Sequence, residues 1–128
     1  MNTNLNYLNT ITAKILDASI DVHKNLGPSL LESVYEHCLY RELQNRGLNV
    51  KQQVYLPVIY KGEDIDLNFR MDLLVENEIV IELKSVETIL PIHEAQILTY
   101  LKLADKKLGL LINFNVPLLK NGFRRFIN

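Results

Sequence analysis

The sequence predicts an α/β (α+β) protein with a central mixed β-sheet flanked by helices, in the order helix, helix, three strands, helix, strand (ααβββαβ). Three observations carry this expectation. Apolar residues recur every three to four positions through residues 5–26, alternate every second position through residues 65–73, and occupy both faces of residues 108–114. The first is the period of a helix with one buried side, the second that of a strand with one apolar face. The third fits a strand covered on both faces.

Leu8, Ile11, Ile15, Ala18 and Val22 mark the buried side of the first helix, which Gly27-Pro28 stops. A second helix spans about residues 30–46 and ends at Gly47, a residue suited to the left-handed conformation that closes helices. Residues 50–60 contain Val54, Tyr55, Leu56, Val58, Ile59 and Tyr60, a strand signal interrupted by Pro57. Lys61-Gly62-Glu63-Asp64 reads as a turn. Ile65, Leu67, Phe69, Met71 and Leu73 then alternate with Asp66, Asn68, Arg70 and Asp72, which assigns the apolar set to one face. Glu76-Asn77-Glu78 turns the chain into a strand over residues 79–84, and so short a connection predicts an antiparallel hairpin. Pro91 opens a third helix that reaches residue 104, with Ala95, Leu98 and Leu101 expected on its buried side.

A chain of 128 residues with 48% apolar and 23% charged side chains is expected to form a single domain, residues 1–128, with one core. The net charge of −1 supplies no strong overall field toward nucleic acid or an anionic membrane, leaving only a local basic rim for that purpose. Cys38 is the single cysteine, which excludes an internal disulfide and a four-cysteine metal site, and beside His37 it reads as a small buried hydrophobe. Residues 1–8 are Asn-rich and lack the basic start and apolar run of a signal peptide. No apolar stretch is long enough to span a bilayer. The expectation is a cytoplasmic protein without a membrane partner.

The chemistry gathers on the hairpin. Asp72 lies opposite the face assigned to Phe69, Met71 and Leu73, and Glu82 and Lys84 lie opposite Ile79, Ile81 and Leu83. Alternation therefore permits Asp72, Glu82 and Lys84 to share one face, given a register that brings them level. Two adjacent carboxylates repel, and a hard cation such as Mg²⁺ or Mn²⁺ relieves that cost. A lysine beside them can orient water or stabilise charge on a phosphate. The alternative is a solvated strand face. On the third helix Gln96 and Tyr100 share a side, with His93 one turn before Gln96. Gln96 either faces the same centre or is surface, and Tyr100 either joins it or packs in the core. Glu32 and Tyr35 lie three apart on the second helix. Ser29 and Glu32 fit a capping box, which accounts for the glutamate without chemistry, and the rival reading sends Glu32 to the metal or its water. The single histidine of His93-Glu94-Ala95-Gln96 excludes a zinc-protease helix, and the scattered glycines form no phosphate loop. His23, near the end of the first helix, reads as a residue favoured by the helix dipole.

Asp72, then Glu82-Leu83-Lys84, then Gln96 and Tyr100 resemble the D…(D/E)-x-K…Q-x-x-x-Y series of the PD-(D/E)XK nuclease superfamily. The segment Leu26-Gly27-Pro28-Ser29-Leu30-Leu31-Glu32-Ser33-Val34-Tyr35 looks like the signature of its small GxxExxY proteins. The likeness continues through Arg70-Met71-Asp72, His93-Glu94-Ala95-Gln96 and Leu110-Leu111-Ile112-Asn113-Phe114 and covers nearly the whole chain. Ser29 stands where that signature has its glycine, and Met71 where the superfamily has its proline.

The resemblance implies a restriction-endonuclease-like core. It also implies a metal, Mg²⁺ with Mn²⁺ as substitute, on Asp72, Glu82 and the backbone carbonyl of Leu83. Lys84 would stand beside the attacking water, Glu32 would complete the site as a further metal ligand, and Gln96 would supply a polar contact from the later helix. Tyr35, Tyr100 and His93 are secondary candidates. The expected activity is Mg-dependent hydrolysis of phosphodiester bonds in nucleic acid, with DNA favoured over RNA. Lys106, Lys107, Lys120, Arg124 and Arg125 would form a modest phosphate-contacting rim, or else an ordinary solvated surface and tail. The alternative is a catalytically silent nuclease-fold module that binds nucleic acid or a partner protein. A homodimer is a further expectation, because a small nuclease often needs a second subunit to grip a duplex.

Overall fold

A computed structural model describes residues 4–128. Residues 1–3, part of the Asn-rich start read above as lacking a signal peptide, lie outside the described residues. Helix α1 (Leu5–Leu26) begins at Asn4, whose side chain accepts the Asn6 amide at 2.7 Å, and it buries Leu8, Ile11, Ile15, Ala18 and Val22 as their spacing predicts. His23 is also buried, with Nε2 2.8 Å from the Val116 carbonyl oxygen. The helix stops at Gly27, whose φ of +72° favours a residue without Cβ.

Helix α2 (Glu32–Asn45) begins later than expected, and Ser29 is not its cap. Ser29 sits at φ +75° with Oγ donating to Asn115 Oδ1 at 3.0 Å, while Leu31 takes the cap position. The cause is Tyr35. Its hydroxyl donates to the Gly27 carbonyl at 2.6 Å and accepts the Leu30 amide at 3.1 Å, so residues 27–30 are held as a loop. At the other end Gly47 (φ +83°) donates to the Gln44 carbonyl and Leu48 to that of Leu43, the left-handed finish predicted there. Cys38 is partly buried against the core rather than enclosed by it.

Strand β1 (Val50–Leu56) ends before Pro57, and the residues beyond it form a separate two-stranded ribbon, β2 (Ile59–Tyr60) and β3 (Glu63–Asp64), turned by Lys61-Gly62. Strand β4 (Phe69–Val75) starts later than the alternation implied. Asp66 and Asn68 adopt positive φ, and Asp64 Oδ1 holds the Asp66 amide at 2.8 Å, so Ile65 and Leu67 stay outside the sheet and exposed. Strand β5 (Ile79–Lys84) completes the predicted hairpin, and helix α3 (Pro91–Ala104) crosses to the parallel strand β6 (Leu108–Asn113). The C-terminal residues are not a solvated tail. A 3₁₀ turn (Leu119–Gly122) leads into strand β7 (Phe123–Ile127), which pairs with β6 because Phe123 and Phe126 can pack inward there.

The result is a five-stranded mixed sheet in the order β1-β4-β5-β6-β7, antiparallel except at β5–β6. One apolar cluster joins α1 and α2 to Leu73, Val75, Ile79, Ile81, Leu83, Leu110 and Ile112. A second joins Ile97, Tyr100 and Leu101 of α3 to Met71, Leu74, Val80 and Leu111. Ala95 and Leu98, expected to be buried, face solvent instead. A Cβ at Gly109 would stand 3.0 Å from Ile97 and Leu101, so the side of α3 that approaches β6 closely is the one bearing those two residues.

One face assignment changes. Phe69 and Met71 pack toward α3, whereas Leu73 and Val75 pack toward α1 and α2. Strict alternation is lost at Asp72. Opposite it, between the pairs Gln52–Leu73 and Val54–Met71, Gln53 has a φ of +48° and makes no ladder pair. A left-handed residue inside a strand distorts the local pleat, and here it lets one strand serve both cores.

Candidate functional site

The same break builds the site. The β4–β5 ladder is regular from Val75–Ile79 to Leu73–Ile81 and then stops. Beyond it, side-chain carboxylates take the place of backbone carbonyls. The Asp72 amide donates to Glu82 Oε2 at 2.8 Å, and the Leu83 amide donates to Asp72 Oδ2 at 2.8 Å. Each acid is thus fixed by the opposite strand, and the two are held together at the open end of the hairpin, away from its turn.

Glu82 is 3% exposed, an uncommon place for a carboxylate. Burial first, and the neighbouring Asp72 charge second, push its carboxyl well above the usual range, against the opposing pull of the Asp72 amide and Lys84. Burial likewise raises Asp72, with the Glu32 charge adding to it, while the Leu83 amide, the Gln53 side chain and Lys84 act in the other direction. Desolvated acids that repel one another favour either a proton or a cation between them. Lys84, on the same side of β5 as Glu82, supplies the positive charge that both carboxylates feel.

Two helices complete the surroundings. From the start of α2, Glu32 Oε2 accepts the Ser85 amide at 3.4 Å, and Ser85 Oγ donates to the Leu30 carbonyl at 2.5 Å, which ties the residue after Lys84 to the helix. From α3, Gln96 donates to the Tyr100 hydroxyl at 3.0 Å; burial raises the Tyr100 phenol, and the charges of Glu82 and Asp72 raise it further. Lys84, Glu32 and Tyr100 thus share the electrostatic surroundings of Asp72 and Glu82, and Gln96 adjoins them through its bond to Tyr100. Two sequence candidates do not. Tyr35 is fully buried, stacked on Phe114 at 4.4 Å, and its hydroxyl is used by the loop before α2. His93 caps α3, its Nδ1 accepting the Leu90 amide at 2.9 Å.

Three residues escaped the sequence reading. Gln53 Nε2 bridges Asp72 Oδ1 at 3.2 Å and Glu36 Oε1 at 2.8 Å. Glu36, raised by burial and then by Asp72, extends the acidic centre toward α2. Asn113 is 3% exposed and clasps Val86, accepting its amide at 3.1 Å and donating to its carbonyl at 2.9 Å, which fixes the chain just past Lys84. Glu36 lies one helical turn after Glu32, a detectable signal; nothing in the sequence marks Gln53 or Asn113 for these contacts. In the expected basic rim, Arg124 is bonded to Glu94 at 2.7 Å and Arg125 to Asn9.

A family profile for the PD-(D/E)XK nuclease superfamily matches residues 9–126. The chain belongs to that superfamily. The mixed sheet with flanking helices is consistent with its restriction-endonuclease-like fold, and members of this PD-(D/E)XK superfamily are generally nucleases that use divalent metals. No curated protein and no solved structure matches the chain. Among the described residues, no helix is long and apolar enough to cross a membrane.

The donor set fits a hard divalent ion in charge and in kind. Among the described residues, no three His, Cys, Asp or Glu side chains gather closely enough to hold a metal by themselves. A pair of carboxylates with backbone and water oxygens is a set that Mg²⁺ accepts, since it keeps several waters and uses only one or two carboxylates.

Proposed function

We propose that this chain is a Mg²⁺-dependent phosphodiesterase acting on nucleic acid, DNA in preference to RNA, and that it belongs to the GxxExxY group of its superfamily. The observation that supports this most is the pair of bonds from the Asp72 amide to Glu82 and from the Leu83 amide to Asp72, which holds a buried and a half-buried carboxylate together where the sheet ladder opens. In this reading Asp72, Glu82 and the Leu83 carbonyl hold the ion, with Glu32 bearing on its outer waters. A divalent ion bound there supplies positive charge to a phosphate oxygen and makes water a better nucleophile at neutral pH. Lys84 orients the attacking water and offsets charge on the phosphate, Gln96 offers a polar contact to the substrate from α3, and Asn113 keeps Lys84 in place. Water adds to phosphorus, the bond to the leaving oxygen breaks, and a proton passes to that oxygen.

The test is cleavage of single- and double-stranded DNA and RNA in Mg²⁺ or Mn²⁺, beside calorimetric titration with Mn²⁺. Wild-type protein is expected to bind Mn²⁺ and cut, with Glu82→Ala and Lys84→Ala reduced by roughly 10²-fold or more. Equal cleavage by both variants excludes the centre. A catalytically silent binding module is the second reading. It is favoured by the small side-chain ligand set, and it gains if no Mn²⁺ binding depends on Asp72 and Glu82.

A further inference from the structure

Next to the carboxylates, on the sheet face covered by α3, lies an open groove of about 420 Å³ lined by Phe69, Ile92, Ala95, Gln96, Thr99 and Tyr100. That volume falls within the roughly 300–1,000 Å³ of small-molecule clefts. The groove is aromatic on one side, where the Phe69 and Tyr100 rings stand 5.5 Å apart at 47°. Its other lip is Ile92, 67% exposed. Helix α3 is apolar on both sides. Ile97 and Leu101 face the sheet, while Ile92 and Leu98 remain in water, an arrangement that a globular helix normally avoids.

The groove shares Gln96 and Tyr100 with the surroundings of Asp72 and Glu82. Gln96 spends one amide hydrogen on the Tyr100 hydroxyl, which leaves its carbonyl, its second amide hydrogen and the Tyr100 proton for a ligand at the floor of the groove. Thr99 contributes little polarity, because its hydroxyl donates to the Ala95 carbonyl at 2.7 Å. Flat aromatic walls beside a few donors and acceptors suit the face and edge of a nucleobase. The overall charge offers a phosphate backbone little attraction. The net charge is −1, the centre itself is acidic, and Arg124 is occupied by Glu94. With little affinity available from the phosphate backbone, base contacts must supply a larger share.

We propose that this groove receives an unpaired base next to the scissile phosphate, so that the substrate class is a single strand or a splayed end rather than a closed duplex. The inference rests on the phosphodiesterase reading for its reaction and on the groove for its substrate. A base inside a duplex is stacked on its neighbours and reaches such a groove only after leaving the stack.

The experiment measures anisotropy of a labelled single-stranded DNA oligomer and of the same sequence as a blunt duplex, in Ca²⁺, with both confirmed intact by gel. A third strand lacks one base. The single strand is expected to bind more tightly than the duplex, with loss of affinity when the missing base falls at the bound position. Phe69→Ala is expected to weaken single-strand binding roughly 5- to 100-fold, the range for losing one stacked base. Phe69→Leu retains apolar packing against Tyr100 and is expected to lose nearly as much. Ile92→Ala changes an exposed lip, cannot disturb the core, and is expected to weaken the same complex.

No single-strand binding, equal binding of duplex and single strand, or indifference to all three substitutions overturns the inference. So does a fall in mass by light scattering in Ile92→Glu with oligomer binding intact, which assigns the groove to a second copy of the chain. Because binding is read without turnover, a strand preference in a protein that cleaves nothing supports the groove while removing the phosphodiesterase. Phe69-independent cleavage of both forms does the reverse.

Discussion

Asp72 and Glu82 are bonded across the hairpin through each other's strands: Glu82 accepts the Asp72 amide, and Asp72 accepts the amide of Leu83, each at 2.8 Å. The arrangement positions two acids that burial and mutual repulsion disfavour in their charged forms.

The metal-free protein is therefore expected to lose stability as pH rises. Asp72, Glu82 and Glu36 all have raised carboxyl pKa values, so the folded state binds more protons than the unfolded chain above the ordinary values of 3.8 and 4.5. Stability is fully present below those values and falls as pH climbs through the folded-state values. Asp64 has the opposite sign but acts below 3.8, outside this window. Mg²⁺ must displace these protons, so its stabilising effect grows with pH. Thermal melts at pH 5 and pH 8, with EDTA or Mg²⁺, check both signs; a metal-free protein more stable at pH 8 contradicts the first.

Glu82→Gln is expected to raise metal-free stability at pH 8 by roughly 0.5–2 kcal/mol, a usual gain when a functional site is relieved of its conflict. The amide oxygen still accepts from Asp72, while the buried charge is gone. The same variant is expected to lose Mn²⁺ binding. Urea melts and calorimetry on one preparation read the two effects together.

Tyr35→Phe retains the stack on Phe114 and removes the hydroxyl that serves Gly27 and Leu30. Leaving those groups without a partner is expected to cost about 1–3 kcal/mol in urea unfolding. Its effect on Mn²⁺ affinity is expected to be small, since Tyr35 stands apart from the acids.

Gly122 and Gly109 are expected to respond differently to alanine. At Gly122 a Cβ would lie 2.1 Å from the Asn113 carbonyl oxygen, a backbone atom that cannot yield. Gly122→Ala should cost about 3 kcal/mol or more and should also slow cleavage, because Asn113 holds the segment behind Lys84. At Gly109 the nearest atoms are side-chain tips of Ile97 and Leu101 at 3.0 Å, so a loss nearer 1 kcal/mol is expected. Comparative melts and single-turnover rates separate the two.

The elements with the strongest periodicity were legible in the sequence. The buried positions of α1, the left-handed finish at Gly47, the β4–β5 hairpin and the doubly covered β6 all follow from local patterns. What escaped depended on distant partners. Ser29 looks like a cap until the Tyr35 hydroxyl claims the loop around it. Ala95 and Leu98 look inward because apolar residues fall on more than one side of α3, and the glycine at 109 shows which side approaches the sheet. Strand β7 was missed because two arginines interrupt it, and its pairing with β6 spans a connection with no period of its own. The proposed site was half visible: residue types and order marked Asp72, Glu82 and Lys84, whereas Gln53 and Asn113 enter through contacts 19 and 27 residues away.

Where the ladder opens, two backbone amides point at carboxylates rather than carbonyls, and this gives the protein an internal reporter. An amide proton facing a full negative charge is strongly deshielded. A proton or ion that drains charge from either acid shifts the signals of Asp72 and Leu83 upfield. Two peaks in a nitrogen-correlated NMR spectrum would thus follow occupancy of the open end of the hairpin without substrate or turnover.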